Sequence, residues 1–421
     1  MISKPTPAGS YDAIVIGGGP SGTTAATLMA QKGHRVALFE RDHFPRFHIG
    51  ESLIPQTYWV LERLNMLPKM KSSHYVKKYS VQFVTDKGRL SEPFYFCDHR
   101  PHEASQTWQV RRSEFDHLML ENAREHGVEV FEGARVNDVL FEGDRAVGVN
   151  VNPSESAPAQ DISSKVIVDA SGQQSMLIGK LGLREWDPVL KKAALWTYWK
   201  GAFRDTGRDE GATIVIQVQG KQGWFWYIPL HDDIVSVGVV ASHEYLFKNR
   251  GTTDFEKIYF EEVAKCPGVQ PRIANAERCD IFRAQKEYSY RATKAAGVGW
   301  VLVGDAFGFL DPLYSSGVLL ALVSGQMAAD AVNEGLASGD TSATQLGKWE
   351  KDYVAGMDRM RRLVCEFYDG FSFGRFIKKH PHLKGFVTDV LIGDLFKPDV
   401  DVLWPLMDEM RAETAGHFAE V

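Results

Sequence analysis

Residues 11–42 read YDAIVIGGGPSGTTAATLMAQKGHRVALFERD. A short apolar run, Ala13 to Ile16, is followed at once by the spacing Gly-x-Gly-x-x-Gly, formed by Gly17, Gly19 and Gly22. A helix pattern comes next, and a second apolar run then ends at Glu40. The order of strand, glycine-rich turn, helix and strand predicts a Rossmann-like unit that binds a dinucleotide.

Each part of this motif has a physical task. Gly17 permits the tight turn, Gly19 lets the backbone approach a pyrophosphate, and Gly22 lets the helix pack close to the sheet. The free N–H groups and the positive end of the helix dipole favour the phosphates. Glu40 lies eighteen residues after Gly22, about where a carboxylate accepts a hydrogen bond from an adenosine ribose. NAD and FAD share this motif, so the motif alone leaves the nucleotide open.

Composition narrows the class of protein. The chain has 421 residues, enough for more than one domain, and its net charge of −6 gives no reason to expect nucleic acid or an anionic membrane as a partner. Its four cysteines are scattered without a metal-binding spacing, so we predict no metal site and a reducing, cytoplasmic location. The first ten residues lack the apolar core of a signal peptide. No apolar run of about 18 residues predicts a membrane span.

Three later segments resemble the aromatic-hydroxylase family of FAD-dependent flavoproteins: WQVRRSEFD at 108–116, DASG at 169–172 and LVGDAFGFLD at 302–311. The resemblance implies FAD as the cofactor, with Arg112 beside it and Asp305 on the sugar-like chain of the flavin. Each residue alone has a plainer interpretation. Arg112 could be a salt-bridged helix residue, and Asp305 could cap a helix.

The same resemblance implies a mixed α/β architecture. We expect a discontinuous Rossmann-like FAD-binding domain at 10–190 and 290–335, within which strands at 75–110 face the substrate side. Residues 190–290 alternate apolar and polar positions and are expected to form an antiparallel sheet over the flavin. Residues 336–421 are expected to form a helical C-terminal region.

Two stretches resemble a narrower family, the flavin-dependent halogenases. GWFWYIPL at 223–230 matches the pattern WxWxIP, and 309–317 matches the FxxPxxSxG signature of halogenases that act on phenols, pyrroles and carrier-bound substrates. The resemblance implies a rigid wall that keeps the organic substrate away from the flavin, made of Trp224, Trp226, Pro229, Phe309 and Pro312. Alternation along a strand also places both tryptophans on one face, as in many protein cores. Some flavin reductases of isoprenoid chains carry a similar stretch.

A lysine is the expected catalytic residue. HYVKKYSVQF at 74–83 resembles the segment that carries the essential lysine of the halogenases, and the match falls on Lys78. An amine can hold hypohalous acid by hydrogen bonding or form a haloamine with it, and burial would lower its pKa. Lys77 leaves the register open, because alternation sends the two side chains to opposite faces. Two surface lysines on a strand edge are the alternative.

Two further segments complete the expected site. FHIGES at 47–52 resembles a flavin-contacting segment of the halogenases and implies cofactor contacts for Arg46, Gly50 and Ser52. The resemblance also implies that backbone amides of Ser316 and Gly317, at the start of a predicted helix, hold the halide beside the flavin. A serine that merely caps this helix is compatible with that interpretation.

The substrate class follows from one departure. Tryptophan halogenases carry a glutamate just before the Ser-x-Gly segment, and here that position is Tyr314. We therefore expect an electron-rich phenol or pyrrole, and we assign no base for the ring proton. His48 and His231 flank motifs and are interpreted as structural residues.

The leading hypothesis is a FAD-dependent halogenase that uses reduced FAD, O2 and chloride or bromide. No second Gly-x-Gly-x-x-Gly occurs for a nicotinamide nucleotide, so we expect a separate flavin reductase as a partner. The substrate is free or is attached to an acyl or peptidyl carrier protein. KKHPHLK at 378–384 could meet such an acidic carrier or form a solvated helix end. A flavin hydroxylase, an isoprenoid-chain reductase and a non-catalytic flavin-binding protein are the alternatives.

Overall fold

The described residues form two eight-stranded sheets, a three-stranded sheet, a two-stranded sheet and a set of helices. The computed structural model describes residue 7 and residues 9–154, 156–248, 250–286 and 289–419, with no side chains from 414 onward. Most of the segment assessed for a signal peptide, and the last two residues of the predicted helical region, lie outside these ranges. In chain order the strands are β1 (Ser10–Ile16), β2 (Val36–Glu40), β3 (Val76–Lys78), β4 (Ser80–Val84), β5 (Phe94–Tyr95), β6 (Thr107–Gln109), β7 (Glu129–Glu132), β8 (Arg135–Glu142), β9 (Arg145–Asn152), β10 (Gln160–Asp169), β11 (Arg184–Trp186), β12 (Lys192–Lys200), β13 (Thr213–Gln217), β14 (Gly223–Pro229), β15 (Ile234–Ser242), β16 (Glu277–Arg278), β17 (Arg283–Lys286), β18 (Tyr290–Ala292), β19 (Ala296–Gly297), β20 (Trp300–Leu302) and β21 (Gly308–Phe309).

The helices are α1 (Pro20–Ala30), α2 (Thr57–Arg63), α3 (Leu67–Ser72), α4 (Arg112–Glu125), α5 (Met176–Leu181), α6 (His243–Phe247), α7 (Phe255–Ala264), α8 (Gln270–Ile273), α9 (Gly317–Ser338), α10 (Ala343–Leu346), α11 (Glu350–Tyr368), α12 (Phe373–Lys379), α13 (Lys384–Ile392) and α14 (Leu403–Ala419). None of the helices described is long and apolar enough to cross a membrane.

The first sheet has a parallel centre in the order β20-β10-β1-β2-β7. Strands β9 and β8 extend it as an antiparallel pair beside β10. The apolar run Ala13, Ile14 and Val15 of β1 is fully buried, as expected where helices cover both faces of a parallel sheet. The chain leaves this sheet after β10 and returns to it only at β19 and β20. The α/β fold class with a Rossmann-like core is confirmed, whereas the domain boundaries stay a prediction.

Helices α1 and α9 pack tightly against each other beside the first sheet. A Cβ atom at Gly325 of α9 would lie 2.5 Å from the carbonyl oxygen of Ser21 in α1. No side chain fits in that space, since real Cβ atoms do not approach a backbone oxygen so closely. This contact fixes the start of α9 beside the glycine-rich turn.

The second sheet follows the order β16-β12-β15-β14-β13-β4-β5, with β17 beside β12. Its central pairs are antiparallel, as predicted for 190–290, but β4 joins β13 in parallel. This strand comes from the 75–110 segment, so the sequence expectation missed a long-range parallel pair. Helix α7 covers the outer face, where Tyr259 and Ile258 are fully buried.

Candidate active site

A cavity of about 650 Å³ lies between the two eight-stranded sheets. On one side it is lined by the carboxyl ends of β1 and β2 and by the residues after β10, Ala170 to Gln174. On the other side it is lined by the inner face of the second sheet, including Thr213 and Val215. The carboxyl ends of parallel strands are where open α/β sheets bind their ligands, and this volume suits a small-molecule cofactor.

The glycine-rich turn forms one end of the cavity. Gly17 has a φ of +106°, and a Cβ there would lie 2.4 Å from the carbonyl oxygen of Ala170. A Cβ at Gly22 would lie 2.0 Å from the oxygen of Gly17. At Gly19, by contrast, the nearest atom is Nη2 of Arg46 at 3.6 Å. Gly17 and Gly22 are therefore required by packing, whereas the space in front of Gly19 opens to the cavity.

Glu40 closes the same end. One carboxylate oxygen accepts a hydrogen bond from the backbone N–H of Gly18 at 2.8 Å, and the other accepts from the N–H of Asp42 at 2.9 Å. The side chain lines the cavity, so a ribose hydroxyl can reach it. Its predicted contact with the nucleotide stays a prediction.

Arg112 is the first residue of α4, and its guanidinium is buried beside the cavity. It donates two hydrogen bonds to Asp116, at 2.7 and 2.9 Å, and one to the carbonyl oxygen of Ile49 at 2.7 Å. Arg46 also donates to Asp116, at 3.1 Å. Burial alone would raise the pKa of Asp116, but the two guanidinium groups hold it below its usual value. Asp116 thus orients both arginines. No role was predicted for Asp116 from the sequence, although it lies four residues after Arg112.

Asp305 lies inside a short turn, Gly304–Ala306, which Val303 precedes, so it does not cap a helix. The carboxyl lines the cavity, and burial raises its pKa to about 6 despite the nearby charge of Arg112. A carboxyl in this position can accept a hydrogen bond from a hydroxyl of a bound sugar chain. Its predicted role at the flavin is compatible with this position and remains a prediction.

Lys78 and Lys77 point to opposite sides of β3. The side chain of Lys78 is buried (2 % exposed) and that of Lys77 is exposed. Nζ of Lys78 donates to Oγ of Ser52 at 2.8 Å and to the carbonyl oxygen of Leu53 at 3.1 Å. Burial lowers its pKa to about 7. The interpretation of Lys78 as a solvated edge residue is therefore wrong.

Lys78 lies one side chain behind the cavity. Ser52 lines the cavity, and its hydroxyl also shares a 2.7 Å hydrogen bond with Oγ1 of Thr213, another lining residue. Gln109 donates to the same Thr213 oxygen at 2.8 Å. The amine is thus fixed next to the cavity wall by a hydroxyl pair.

The amino end of α9 faces the cavity through Ser315 and Gly317. The backbone N–H of Leu320 is bonded to the oxygen of Ser316 at 2.9 Å, so the N–H groups at 317–319 have no acceptor within the helix. Ser316 is at the N-cap position, but its hydroxyl makes no capping bond and is buried with no hydrogen-bond partner in the described part of the chain. The simple capping interpretation is therefore wrong for Ser316. Free N–H groups at a helix N-terminus can bind an anion.

The aromatic run of β14 divides between two faces. Trp224, Trp226 and Ile228 line the cavity, whereas Phe225 and Tyr227 pack in the core beneath α7. The two indole centroids lie 6.4 Å apart, and their N–H groups donate to other side chains, at 2.9 Å for Trp224 and 3.1 Å for Trp226. The prediction that they share one face is confirmed.

The other predicted wall residues divide similarly. Phe309 and Pro312 line the cavity, as do Arg46 and Gly50 of the predicted cofactor segment. Pro229 is buried at the end of β14 beside Val235 and is not among the lining residues. It ends the strand and does not itself face the cavity.

Glu51 lines the cavity and belongs to the predicted flavin-contacting segment FHIGES, but no separate role was predicted for it. Its side chain is buried, and burial raises its pKa to about 7 against the opposing hydrogen bonds from Ser236 and Tyr198. One of its carboxylate oxygens has no hydrogen-bond partner among the described residues. A carboxyl that titrates near neutrality can give or take a proton in this cavity. Its place inside the FHIGES segment was the available signal.

Comparisons with known proteins support the family that the sequence motifs resemble. The family model described as Tryptophan halogenase matches residues 12–99 and 84–371. The tryptophan 2-halogenase of Chondromyces crocatus is 33% identical over 358 residues, covering 85% of this chain and 67% of the relative. The 1H-pyrrole-2-carbonyl-(peptidyl-carrier protein) chlorinase of Pseudomonas fluorescens is 30% identical over 407 residues, covering 92% of this chain and 90% of the relative.

Solved structures agree with this assignment. The myxobacterial chondrochloren halogenase, described as a variant of the FAD-dependent halogenases, superposes with a TM-score of 0.79 at 35% identity. The match covers 86% of this chain and 83% of that one. The chain therefore belongs to the tryptophan halogenase family of flavin-dependent halogenases.

Proposed function

We propose that this flavin-dependent halogenase transfers chlorine or bromine to an electron-rich phenol or pyrrole ring, and that Lys78 presents the halogenating species. The observation that carries the proposal is the buried amine of Lys78, one hydrogen bond from a residue that lines the cavity. Because burial lowers the pKa of Lys78 to about 7, its charged and uncharged forms are both accessible at neutral pH. It can therefore act either as a nucleophilic amine or as a hydrogen-bond donor.

The cofactor is FAD, used together with a halide, as in other members of the family. The site fits it on structural grounds, because Gly17 and Gly22 leave no room for side chains while the space before Gly19 is open. When bound, reduced FAD together with O2 supplies the oxidising equivalent that converts halide into hypohalous acid. We infer that Arg46, Gly50 and Ser52 also contact it, since all three line the cavity.

We infer that the halide binds at the amino end of α9. The N–H groups at 317–319 have no acceptor within the helix, and Gly317 lines the cavity. The ring of Phe309 lies close to Gly317: a Cβ atom added at Gly317 would be 3.3 Å from it. A glycine here keeps the backbone accessible to an anion, and the helix dipole favours the negative charge.

The wall of Trp224 and Trp226 separates the organic ring from the flavin in this proposal. Two buried indoles, each held by a hydrogen bond from its N–H group, have little freedom to move aside. Hypohalous acid is small enough to pass where an aromatic ring is not. Lys78 then holds it for a substrate on the far side.

A phenol or pyrrole is favoured as the substrate for two reasons. Tyr314 is at the position where tryptophan halogenases carry a glutamate. The side chain of Tyr314 is buried. One relative covered almost completely by this chain acts, by its name, on a pyrrole attached to a peptidyl-carrier protein. We propose a carrier-attached substrate as one form and a free ring as the other, with reduced flavin delivered by a separate reductase.

The experiment is turnover with enzymatically reduced FAD, O2 and either bromide or chloride, read by mass spectrometry. The panel contains a free phenol, a free pyrrole, a pyrrole-2-carbonyl carrier protein and tryptophan. Halogenated phenol or pyrrole, with no halogenated tryptophan, supports the proposal. Halogenation of tryptophan alone would contradict the substrate class while leaving the reaction type in place.

A further inference from the structure

A cluster of possible metal ligands lies outside the cavity, where three segments of the chain meet. His74, Glu114 and His231 each offer one ligand atom, and these atoms lie within 4.8 Å of one another. Nε2 of His74 lies 3.0 Å from one oxygen of Glu114, and Nε2 of His231 lies 3.0 Å from the other. We propose that His74, Glu114 and His231 form a binding site for a divalent transition-metal ion of the Zn²⁺ class.

The spacing of the ligand atoms suits such an ion. Zn²⁺ binds imidazole nitrogen and carboxylate oxygen at about 2.0–2.2 Å, so two ligands at the tetrahedral angle are about 3.4 Å apart. The two nitrogen–oxygen separations of 3.0 Å are close to this value. The ligand atoms of the two histidines lie within 4.8 Å of each other, and a rotation of the His74 side chain can shorten that distance. This rotation is available because the side chain of His74 is 67 % exposed.

The buried member of the cluster is held rigidly. His231 immediately precedes the turn between β14 and β15, where Asp232 and Asp233 both have positive φ angles, +58° and +59°. Such a two-residue hairpin turn sets the direction of the flanking side chains. The ring of His231 is buried, and its Nδ1 has no hydrogen-bond partner among the described residues. Nε2, the proposed ligand atom, is on the opposite side of the ring and faces Glu114, so burial of the ring fixes the direction of this nitrogen.

The local charge permits a cation. Glu114 and Asp232 bring two negative charges, and Arg111 brings one positive charge. The guanidinium nitrogens of Arg111 lie 3.9 Å from a carboxylate oxygen of Glu114 and 3.4 Å from one of Asp232. With neutral imidazoles, this small region therefore carries a net charge of −1 before an ion binds. Oδ2 of Asp232 lies 3.7 Å from Nε2 of His231, so this carboxylate can supply a fourth ligand. Two imidazoles with carboxylates are a ligand set that suits Zn²⁺.

The position of the cluster suggests what the ion does. His74 lies four residues before Lys78, Glu114 two residues after Arg112, and His231 two residues after Pro229. An ion held by all three would tie together the segments that carry the proposed lysine, the cavity arginine and the aromatic strand. Sequence reasoning predicted no metal site because these ligands are 40 and 117 residues apart along the chain.

The test is calorimetric titration of the full-length, FAD-saturated protein with ZnCl2 after treatment with a chelator. We expect one saturable equivalent of Zn²⁺ and a higher thermal midpoint when it is bound. His74→Ala and Glu114→Gln should each weaken binding by at least about tenfold. His74 is exposed, so this variant keeps its fold; His34→Ala, outside the cluster, is the matched control.

Two results would overturn the proposal. One is the absence of saturable Zn²⁺ binding to the folded wild-type protein, which would leave the cluster as a hydrogen-bonded triad. The other is wild-type affinity in both His74→Ala and Glu114→Gln, which would assign the ion elsewhere. Neither outcome depends on halogenation, so the proposed function is tested separately.

Discussion

Nζ of Lys78 donates a hydrogen bond of 2.8 Å to the hydroxyl of Ser52, a residue that lines the cavity. The same hydroxyl shares a hydrogen bond with Thr213, which Gln109 also contacts. The position of the amine is therefore set by a buried polar network and not by packing alone.

The first prediction follows from this network. Ser52→Ala removes the side-chain acceptor of Lys78 and leaves the carbonyl oxygen of Leu53 in place. It should lower the rate of halogenated product by about 100-fold at saturating FAD, because a displaced catalytic group costs that much. Mass spectrometry of the product gives the rate. Ser52→Thr retains the hydroxyl and should recover most of the activity. A Ser52→Ala protein with the wild-type rate would show that the contact does not position the amine.

The second prediction concerns stability and pH. The pKa of Lys78 falls from 10.5 in the unfolded chain to about 7 in the folded one because of burial. Between these two values the unfolded state binds more protons, so the free energy of unfolding rises with pH by about 1.4 kcal/mol per pH unit. Lys78→Met should remove this part of the slope.

Urea unfolding of both proteins at two pH values inside that window measures the difference. Other titrating groups are common to the two proteins, so they cancel in the comparison. Equal pH slopes for the wild type and Lys78→Met would mean that the amine keeps an ordinary pKa in the folded protein.

The third prediction separates cofactor binding from packing in the glycine-rich turn. Gly19→Val should leave the fold intact, since the nearest atom to a Cβ is 3.6 Å away, but it should lower FAD affinity by more than about tenfold. Gly22→Ala should instead destabilise the whole domain, because its Cβ would meet a backbone oxygen at 2.0 Å. Flavin fluorescence measures the FAD affinity, and thermal unfolding measures the stability. Unchanged FAD affinity in folded Gly19→Val would contradict the proposed pyrophosphate site.

The fourth prediction concerns the aromatic wall. The Trp226 ring packs against Gly238: a Cβ atom added at Gly238 would be only 2.2 Å from the indole ring. Trp226→Ala should cost about 3–5 kcal/mol of stability, so a folding check accompanies it. We expect less halogenated product and more released H2O2 for each reduced FAD consumed. Phe225→Leu changes the opposite face of β14 and should keep wild-type coupling; equal uncoupling in both variants would mean that the wall has no special role.

Much of the fold was predictable because its signals are local. The glycine spacing, the alternation in β14 and the family motifs lie within short stretches, and the fold class, the FAD cofactor and the halogenase family are confirmed. Long-range partners were not predictable in the same way. The parallel pairing of β4 with β13 joins residues about 130 positions apart, and no local pattern encodes it.

The site shows the same division. Alternation predicted that Lys77 and Lys78 would lie on opposite faces, but which of them is buried depends on Ser52 and β6, which lie elsewhere in the chain. No separate role was predicted for Asp116 or Glu51, because the pKa of each is set by burial and by groups from elsewhere in the chain, such as Arg46 and Tyr198. The contacts of the predicted cofactor and halide residues with their ligands stay predictions.

The catalytic role of Lys78 is tested by comparing Lys78→Ala with Lys77→Ala. Both receive reduced FAD, O2 and bromide with the best substrate of the panel, and halogenated product and flavin oxidation are followed together. Lys77 is exposed on the opposite side of β3, so it is the matched control. We predict that Lys78→Ala oxidises reduced flavin at the wild-type rate but yields no halogenated product, and that Lys77→Ala behaves as wild type. Wild-type halogenation by folded Lys78→Ala would contradict the central claim.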